Sequence, residues 1–485
     1  MPELRVHQAG AVRVLPFEGQ PLLTQLLRQA GYEISTPCGS AGVCGRCGLR
    51  VAGQLDPPAR EGRALACRTR LMGDAQVWLA DPHQLDKIAL ADSLPLTDLK
   101  PLPGEFGLAV DIGTTTLAAM LVDLPSGRPL AAVGLTNPQA SLSDNVIGRI
   151  SAALEGEGPR LRALVREALT GLTRQLCEQA GIERPLHLPT VIAGNTAMLY
   201  LYMGYSPRAL SAAPFEADHL FGVWVEEHTF LPRCPGAFLG ADLNLALLAS
   251  GLCEREETAL LADIGTNGEI ALWHRGRLHC AAAAAGPAFE GGGITQGLGS
   301  ERGAIDSVQA VDGQLRITTI GDAPARGICG SGLVDAAATL LDLTLMDETG
   351  RLSQDKVALA PGVMLWQKDI RQLQLAKGAI AAAIGALCQT AGVRTRDIHR
   401  FYLAGGFGSY LRPQSAARIG LIPEELLEKT VALGNAALSG AAMLLLNQDC
   451  LDASTRLARQ AQVLTLSGNP QFSQLFAERM MFEPF

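Results

Sequence analysis

Long basic runs and long uncharged apolar runs are both missing from this sequence of 485 residues. Its 48 acidic residues outnumber 40 basic ones, and no block of lysine and arginine is long enough to follow a nucleic-acid backbone. No uncharged apolar run reaches the ~20 residues that cross a bilayer, and Met1–Arg5 does not resemble the start of a signal peptide. We therefore expect a cytoplasmic protein that binds neither nucleic acid nor a membrane.

Aromatic residues are also few, at 5% of the sequence, whereas hydrophobic residues make up 48% and glycine occurs 53 times. This composition is typical of a compact α/β protein and argues against a disordered or fibrous chain. Because single hydrophobic cores stop growing at roughly 250–300 residues, the length indicates one small domain with a larger one or a pair.

Cysteine is unevenly distributed, since four of the eleven cysteines lie between residues 38 and 67. The others are far apart, and without a secretion signal they are expected to be buried, reduced thiols. These seven are Cys177, Cys234, Cys253, Cys280, Cys329, Cys388 and Cys450.

Residues 1–80 have the element order of a β-grasp ferredoxin. The predicted elements are strands at 4–6 and 11–14, a helix at 21–29, and strands at 48–51 and 76–79. Residues 81–104 contain four prolines and scattered charges, which is typical of a linker. The sequence therefore predicts a small N-terminal domain followed by a boundary.

A strand-and-turn pattern occurs twice after the linker. Asp-Ile-Gly-Thr follows an apolar strand at Asp111 and again at Asp263. Each copy is followed by an apolar strand that ends in Ala-Gly, at 190–194 and at 401–405. These repeats predict a duplicated α/β unit.

The two halves of this unit are placed at 105–255 and 256–485. The interval between the repeated strands is longer in the second half, which predicts an insertion between Gly286 and Asp369.

The four clustered cysteines have the spacing Cys38-x5-Cys44-x2-Cys47-x19-Cys67, in a loop dense in glycine. Glycine lets backbone amides approach sulfide and thiolate sulfurs, which stabilises a negatively charged cluster. The spacing resembles the plant-type C-x4-C-x2-C pattern with one added residue, as in adrenodoxin-like ferredoxins. A zinc site is the alternative, but zinc ribbons favour two short cysteine pairs and this segment has one. We therefore expect a [2Fe-2S] cluster.

The two Asp-Ile-Gly-Thr turns are candidate phosphate loops, because such turns present amides and hydroxyls to phosphate oxygens. Asp111 and Asp263 would then hold phosphate-bound Mg2+ and orient water, with Asp263 or, through a water, Glu269 as the general base. The alternative is a pair of ordinary tight turns. The residues expected on phosphate are Gly113, Thr114, Thr115, Gly265, Thr266 and Asn267.

The order of these turns and of the glycine-rich segment after residue 404 resembles the phosphate-1, phosphate-2 and adenosine motifs of the ASKHA superfamily of sugar kinases, Hsp70 and actin. The resemblance implies two RNase-H-like halves that close over ATP. It places Gly405, Gly406 and Phe407 beside the nucleoside.

Two predicted helices precede the adenosine motif. A glycine-rich turn with Gly330 and Ser331 leads into a helix at 333–341 and is a further candidate to approach the nucleotide. A helix at 370–388 occupies the place of the adenine-contacting helix of Hsp70, although its Lys377 is expected to be a solvated lysine.

Taken together, the cysteine motif and the phosphate loops resemble the reductive activators of corrinoid proteins, over essentially the whole chain. The resemblance implies an ATPase that uses a [2Fe-2S] cluster and ATP with Mg2+ to return cob(II)amide to cob(I)amide on the corrinoid protein of a methyltransferase system. It also implies an upstream electron donor, and relatives often form homodimers through the ATPase domain. Besides the cysteines, it rests on residues 110–116, 137–139, 144–150, 194–198, 263–270, 327–335, 369–380, 404–408 and 434–438.

Two differences from related proteins indicate where the cluster and the corrinoid are located. A related subgroup has [4Fe-4S] cysteines near the C-terminus, whereas Cys450 is the sole cysteine in the last ninety residues here. Many corrinoid-binding proteins carry Asp-x-His-x-x-Gly, and the nearest string, Asp81–Asp86, lacks the glycine. We therefore expect an N-terminal cluster and a corrinoid that belongs to a partner.

Three other functions remain open from the sequence alone. A redox-linked small-molecule kinase would use the same ATP fold, and an ATP-gated electron donor to another low-potential enzyme would use the same two modules. A scaffold with a degenerate nucleotide site is the non-enzymatic alternative, but both Asp-Ile-Gly-Thr turns are intact.

Overall fold

The computed structural model describes residues 1–8, 11–32, 34, 47–59, 62–79, 98–183, 188–265 and 267–485. Three predicted site residues, Cys38, Cys44 and Thr266, lie outside these ranges, as does the predicted linker up to residue 97. Across the described ranges, no helix is both long enough and apolar enough to cross a membrane.

The N-terminal unit is a five-stranded sheet with one helix packed against it. Its strand order is β2-β1-β5-β3-β4, with β1 and β5 parallel and the other neighbours antiparallel. Leu23 and Leu27 of the helix enter a core with Leu4, Val6 and Val77. The elements are β1 (Glu3–Gln8), β2 (Ala11–Pro16), α1 (Leu23–Gln29), β3 (Gly48–Asp56), β4 (Arg63–Leu65) and β5 (Arg70–Trp78).

This unit departs from the predicted elements in its helix, in two of its strands and in one added strand. The helix begins at Leu23 rather than at residue 21, because the Pro21 carbonyl accepts a hydrogen bond from Leu71 N at 3.0 Å and Leu22 forms a bridge with Arg70. The strands predicted at 48–51 and 76–79 belong to the longer β3 and β5, and β4 was not predicted.

The first of the two following halves is built on a six-stranded sheet, in the order β10-β11-β9-β6-β7-β8. β6, β7 and β8 are antiparallel neighbours, whereas β9 and β11 continue the sheet in parallel. A 3-10 turn, Pro138–Ser141, follows β8. The elements are β6 (Phe106–Ile112), β7 (Thr116–Asp123), β8 (Arg128–Thr136), α2 (Val146–Ala152), α3 (Gly158–Ala180), β9 (Thr190–Gly194), α4 (Thr196–Met203), α5 (Arg208–Ser211), β10 (Val223–Val225), β11 (Thr229–Leu231) and α6 (Ala241–Ser250).

The second half repeats this arrangement, in the order β21-β20-β12-β13-β14-β22. β12, β13 and β14 are antiparallel, and β20 and β21 extend the sheet in parallel, as β9 and β11 do in the first half. The predicted duplication is therefore confirmed. The elements are β12 (Ala259–Ile264), β13 (Gly268–His274), β14 (Arg277–Ala283), β15 (Ala304–Val311), β16 (Gln314–Thr319), β17 (Gly327–Ile328), α7 (Gly330–Asp342), β18 (Lys356–Ala360), β19 (Val363–Trp366), α8 (Gln367–Ala391), β20 (Arg400–Ala404), α9 (Gly405–Tyr410), α10 (Pro413–Arg418), β21 (Thr430–Gly434), α11 (Ala436–Leu446), α12 (Asp449–Gln460), β22 (Gln462–Val463) and α13 (Pro470–Glu478).

The predicted insertion between Gly286 and Asp369 contains α7 and five strands. β16, β15 and β17 form a three-stranded sheet, and β18 pairs with β19. Neither sheet joins the six-stranded sheet, so the added length lies outside the duplicated core.

The two halves are joined through helices α6 and α11. A Cβ built on Gly440 of α11 would lie 2.3 Å from the Leu245 carbonyl oxygen of α6, so only glycine permits this close crossing. The end of α11 also binds the chain that enters the first half, because Lys100 N donates to the Leu446 carbonyl at 3.0 Å and Leu102 N to the Leu445 carbonyl at 2.8 Å.

The expectation that Lys377 is solvated is wrong. Its side chain is completely buried in α8, where Nζ donates to the Met481 carbonyl and lies 5.4 Å from the Phe482 ring centre. Burial lowers its pKa to about 7. The C-terminal residues fold back over α8 and cover this face of the helix, which the local sequence could not indicate.

The scattered cysteines largely follow the prediction. Cys177, Cys234, Cys280, Cys329 and Cys388 are buried, whereas Cys253 and Cys450 are half-buried and depart from it. Burial raises the pKa of Cys234 to about 12, so this thiol is protonated and unreactive at neutral pH.

Candidate functional site

Two of the four clustered cysteines lie side by side in the N-terminal unit. Cys47 precedes β3 and Cys67 follows β4, and their sulfur atoms are 3.1 Å apart. This separation exceeds the ~2.05 Å of a disulfide, and both side chains are buried, at 1% and 5% exposure. Cys67 N also lies 3.5 Å from the Cys47 sulfur, within the distance of an amide hydrogen bond to sulfur. A pair of converging, buried thiols with an amide donor fits an iron-sulfur cluster.

The two repeated aspartates lie where the two sheets meet. Asp111 is near the end of β6, and Asp263 is near the end of β12. The Asn435 amide, at the start of α11, donates to Asp111 at 2.9 Å. Burial, and then the charges of Asp242 and Asp111, raise the pKa of Asp263, so these carboxyl groups interact electrostatically.

Burial of these carboxyl groups controls their protonation. Burial first, and then the charge of Asp242, raise the pKa of Asp111 to about 7. Burial, with the charges of Asp242, Asp111 and Glu290, raises the pKa of Asp263 to about 8. Both groups therefore retain protons near neutral pH unless a cation binds and favours their ionised forms.

Glu269 and Asp242 form a hydrogen-bonded carboxyl pair in the same place. Burial and the charge of Asp242 raise the pKa of Glu269 well above its usual range. Glu269 therefore stays protonated, and its carboxyl O–H donates a hydrogen bond to Asp242. Gly240 N donates to Glu269 Oε1 at 3.2 Å, and Leu243 N donates to Asp242 Oδ1 at 2.9 Å. Glu269 of the second half thus fixes the turn that begins α6 of the first.

The first phosphate loop is held by a buried polar network. Gly113 N donates to the Thr116 carbonyl at 2.9 Å, and the Asn137 amide donates to the Gly113 carbonyl at 2.8 Å. The Thr114 hydroxyl accepts from Asn195 at 3.0 Å, and the Thr114 carbonyl accepts from Arg149 at 2.6 Å.

Thr115 of the same loop reaches across to the second half. Its hydroxyl donates to Glu290 Oε2 at 2.5 Å. With the bonds from Asn435 to Asp111 and from Gly240 to Glu269, three hydrogen bonds join the halves around the aspartates.

The second phosphate loop lies against Glu290 as well. Gly265 N donates to the Asn267 carbonyl at 3.1 Å, which closes the turn. A Cβ on Gly265 would lie 3.4 Å from Glu290 Oε1. The carboxylate of Glu290 therefore lies between the described part of this loop and the first phosphate loop.

The glycine-rich segment at the start of α9 borders Asp263. Gly405 has a φ of +86°, and a Cβ built on it would lie 2.5 Å from Asp263 Oδ1. Gly406 has open space at that position. The Phe407 ring stacks on Phe289 with centres 4.7 Å apart.

Gly330, which is followed by Ser331 at the start of α7, lies against the backbone of Phe289, one of these two aromatic residues. A Cβ on Gly330 would lie 1.8 Å from the Phe289 carbonyl oxygen, and the Ser331 hydroxyl donates to the Asp306 carbonyl at 3.1 Å. The structure thus connects the start of α7 to the adenosine motif through Phe289, with the Ser331 hydroxyl directed to backbone.

Asp242, Glu290 and Asn435 were not among the predicted site residues, although Asn435 lies in the segment 434–438 that supports the family resemblance. Asp242 and Glu290 are single carboxylates outside the repeated motif and become recognisable only through their contacts. Asn435 had a signal, because Gly434-Asn435 repeats the Gly194-Asn195 pair that also ends a strand and begins a helix.

The fold and these sites define an ATPase of the ASKHA class joined to a ferredoxin-like iron-sulfur domain. The model for the C-terminal ASKHA domain of RACo matches residues 257–484, the RACo middle region matches 106–255, and the 2Fe-2S iron-sulfur cluster binding domain matches 6–72. The chain belongs to the RACo family of reductive activators of corrinoid proteins. The predicted family, fold class, [2Fe-2S] domain and ATP-binding domain are therefore confirmed.

Individual relatives agree with this assignment. The chain is 31% identical over 421 residues to the corrinoid activation enzyme RamQ of Eubacterium limosum, covering 78% of this chain and 70% of that protein. It is 28% identical over 421 residues to the [Co(II) methylated amine-specific corrinoid protein] reductase of Methanosarcina barkeri, covering 76% of each. A solved reductive activator for corrinoid, iron-sulfur protein superposes with a TM-score of 0.73 and 27% identity, over 99% of both chains.

Proposed function

We propose that this protein uses ATP to drive a one-electron reduction of a partner corrinoid protein, from cob(II)amide to cob(I)amide. A [2Fe-2S] cluster supplies the electron. The observation that carries the proposal is the presence, in one chain, of a buried thiol pair and of two repeated aspartates at the junction of the RNase-H-like halves, where Asn435 of the second half binds Asp111 of the first. RamQ and the methylated-amine reductase are named for corrinoid activation and for Co(II) corrinoid reduction, which supports the same substrate here.

The need for ATP follows from the chemistry of the substrate. Cob(I)amide is a strong reductant, so its formation is uphill from ordinary cellular donors. For one electron, each ~59 mV is a tenfold change in the equilibrium constant. Hydrolysis of a nucleotide between the two halves provides free energy that docking alone would not.

Each part of the cleft has a proposed role. Asp111 and Asp263 hold Mg2+, and the two loops, with Gly113, Thr114, Thr115, Gly265, Thr266 and Asn267, bind the phosphates. Gly405, Gly406 and Phe407 border the nucleoside, with Gly330 and Ser331 supporting that surface from below. Cys38, Cys44, Cys47 and Cys67 hold the cluster, and the corrinoid protein serves a methyltransferase system.

The function is tested by reconstitution. Anaerobic protein, a chemical reductant and a cob(II)amide-loaded corrinoid protein are mixed with ATP, with a non-hydrolysable analogue or without nucleotide, and cob(I)amide is followed by absorbance. We expect cob(I)amide only where ATP is hydrolysed. Phosphate transfer to a small molecule without formation of cob(I)amide would instead support the kinase alternative.

The protonated state of Glu269 leads to a separate prediction about catalysis. A glutamine can accept from Gly240 N and donate to Asp242 as protonated Glu269 does, so Glu269→Gln is expected to retain ATPase activity within about threefold. A general base at this position would instead cost 10²–10⁴-fold. Steady-state phosphate release distinguishes the two, and Glu269→Ala, which loses both contacts, is expected to be the impaired variant.

A further inference from the structure

Arg28 links the ferredoxin-like unit to the first half. Its helix α1 is tied to the chain around Cys67, because Leu23 N donates to the Thr69 carbonyl at 2.8 Å and Thr24 N to the Ala66 carbonyl at 3.2 Å. The Arg28 guanidinium donates to the Ser141 carbonyl of the first half at 3.2 Å. The same group donates to the Ile34 carbonyl at 2.9 Å. Arg28 is thus held beside the thiol pair while it contacts the ATPase.

Arg28 lies within the electrostatic influence of both thiols of the pair and of a second arginine. Burial lowers its pKa, the charge of Arg160 lowers it further, and the charges of Cys47 and Cys67 raise it. Arg160, on α3 of the first half, is thus a second cation whose charge opposes that of Arg28, and its own partner, Glu157, is 3.6 Å away and half-exposed. Reduction adds one negative charge to a cluster, which attracts both arginines more strongly.

The carbonyl that Arg28 binds belongs to the turn that holds the phosphate-1 loop. Ser141 ends the turn Pro138–Ser141, which Asn137 caps. Asn137 binds that loop twice, through its backbone N to the Thr115 carbonyl at 2.7 Å and through its amide to Gly113.

Gln139, in the same turn, is a second connection. Its amide donates to the Leu161 carbonyl at 2.9 Å, one residue beyond Arg160. Its oxygen accepts from buried Arg149 at 3.2 Å, and Arg149 also binds the Thr114 carbonyl. The Ser141 carbonyl that Arg28 binds therefore lies two residues from Gln139, and Arg160 lies one residue from Leu161, so both are close in the chain to groups that fix the phosphate loop.

We propose that the turn Pro138–Ser141 and Arg160 form the surface on which the ferredoxin-like domain docks, and that this docking couples the charge of the cluster to the phosphate-1 loop. The coupling rests on the proposed function only in requiring a loaded cluster and a nucleotide site. Reduction of the cluster strengthens docking of the ferredoxin-like domain. Docking then orders the phosphate-1 loop, and the ordered loop binds nucleotide more tightly. By linkage, nucleotide must favour the reduced cluster by the same factor.

The experiment measures Mg·ADP affinity of the full cluster-loaded chain, oxidised and dithionite-reduced, by anaerobic equilibrium dialysis. We expect the reduced protein to bind at least fivefold more tightly, at the lower end of typical coupling. Mg·ADP should then raise the cluster midpoint potential by at least about 40 mV, since tenfold corresponds to ~59 mV. Hydrogen exchange of residues 137–143 should be slower after reduction.

Variants separate docking from general stability. Arg160→Gln removes one cation from an exposed helix surface, and Arg28→Gln removes the other. In each variant, the ratio of Mg·ADP affinities between the reduced and the oxidised protein is expected to fall below twofold. Arg174→Gln, an exposed arginine further along the same helix, should leave it intact. Equal affinity in both redox states of the unmodified protein, or an equal loss in Arg174→Gln, would overturn the proposal. No corrinoid protein is present, so failure of the proposed function would leave this measurement unaffected.

Discussion

Cys47→Ser is expected to abolish cob(I)amide formation, with activity falling below detection, while its nucleotide affinity stays within about twofold of that of the oxidised unmodified protein. Cys47 is 1% exposed and its sulfur lies 3.1 Å from that of Cys67, so the substitution would remove one of the proposed cluster ligands. The nucleotide cleft is built from other sheets. Loss of the cluster absorbance, followed with Mg·ADP affinity on the same preparation, checks this result.

A second cysteine provides the matched control. Cys253 lies half-buried in the ATPase region, and Cys253→Ser should retain both the cluster and its activity. If Cys47→Ser lost nucleotide binding together with the cluster, the two domains would be folding as one unit, contrary to the separate cores seen here.

The sequence predicted the parts of this protein that repeat a short local pattern. Asp111 and Asp263 were recognisable because each follows an apolar strand and begins the same four-residue turn. The sheet order then follows from duplication, since two similar strand patterns fold in similar ways. The cysteine spacing was informative because it is also a short local pattern, in which three of the four cysteines lie close together along one loop.

What the sequence did not show depends on contacts between distant segments. Asp242 acquires its role from Glu269 of the other half, and Glu290 from Thr115. Lys377 was expected in solvent because a lysine on a helix usually is, but the C-terminal segment covers it. Such burial depends on residues about a hundred positions away, which no local pattern encodes.

Asp263→Asn is expected to lower ATP turnover by about 10²–10³-fold, the loss typical when one electrostatic group at a reacting centre is removed. Asp263 holds a proton near neutral pH because its pKa is raised to about 8, and the proposed Mg2+ would have to displace that proton on binding. Affinity of the unmodified protein for Mg·ATP should therefore rise with pH and level off above about 8. In Asp263→Asn the rise should end near pH 7, where Asp111 titrates.

Titration of Mg·ATP binding between pH 6 and 9 checks this difference, with phosphate release measured on the same samples. Asp397→Asn, at an exposed aspartate paired with Arg394, is the matched control and should behave as the unmodified protein. The cluster spectrum should be unchanged in both variants. ATP turnover within threefold of normal in Asp263→Asn would contradict this prediction and would assign the metal to Asp111 alone. Asp263 would then serve to pack against Gly405 rather than to support catalysis.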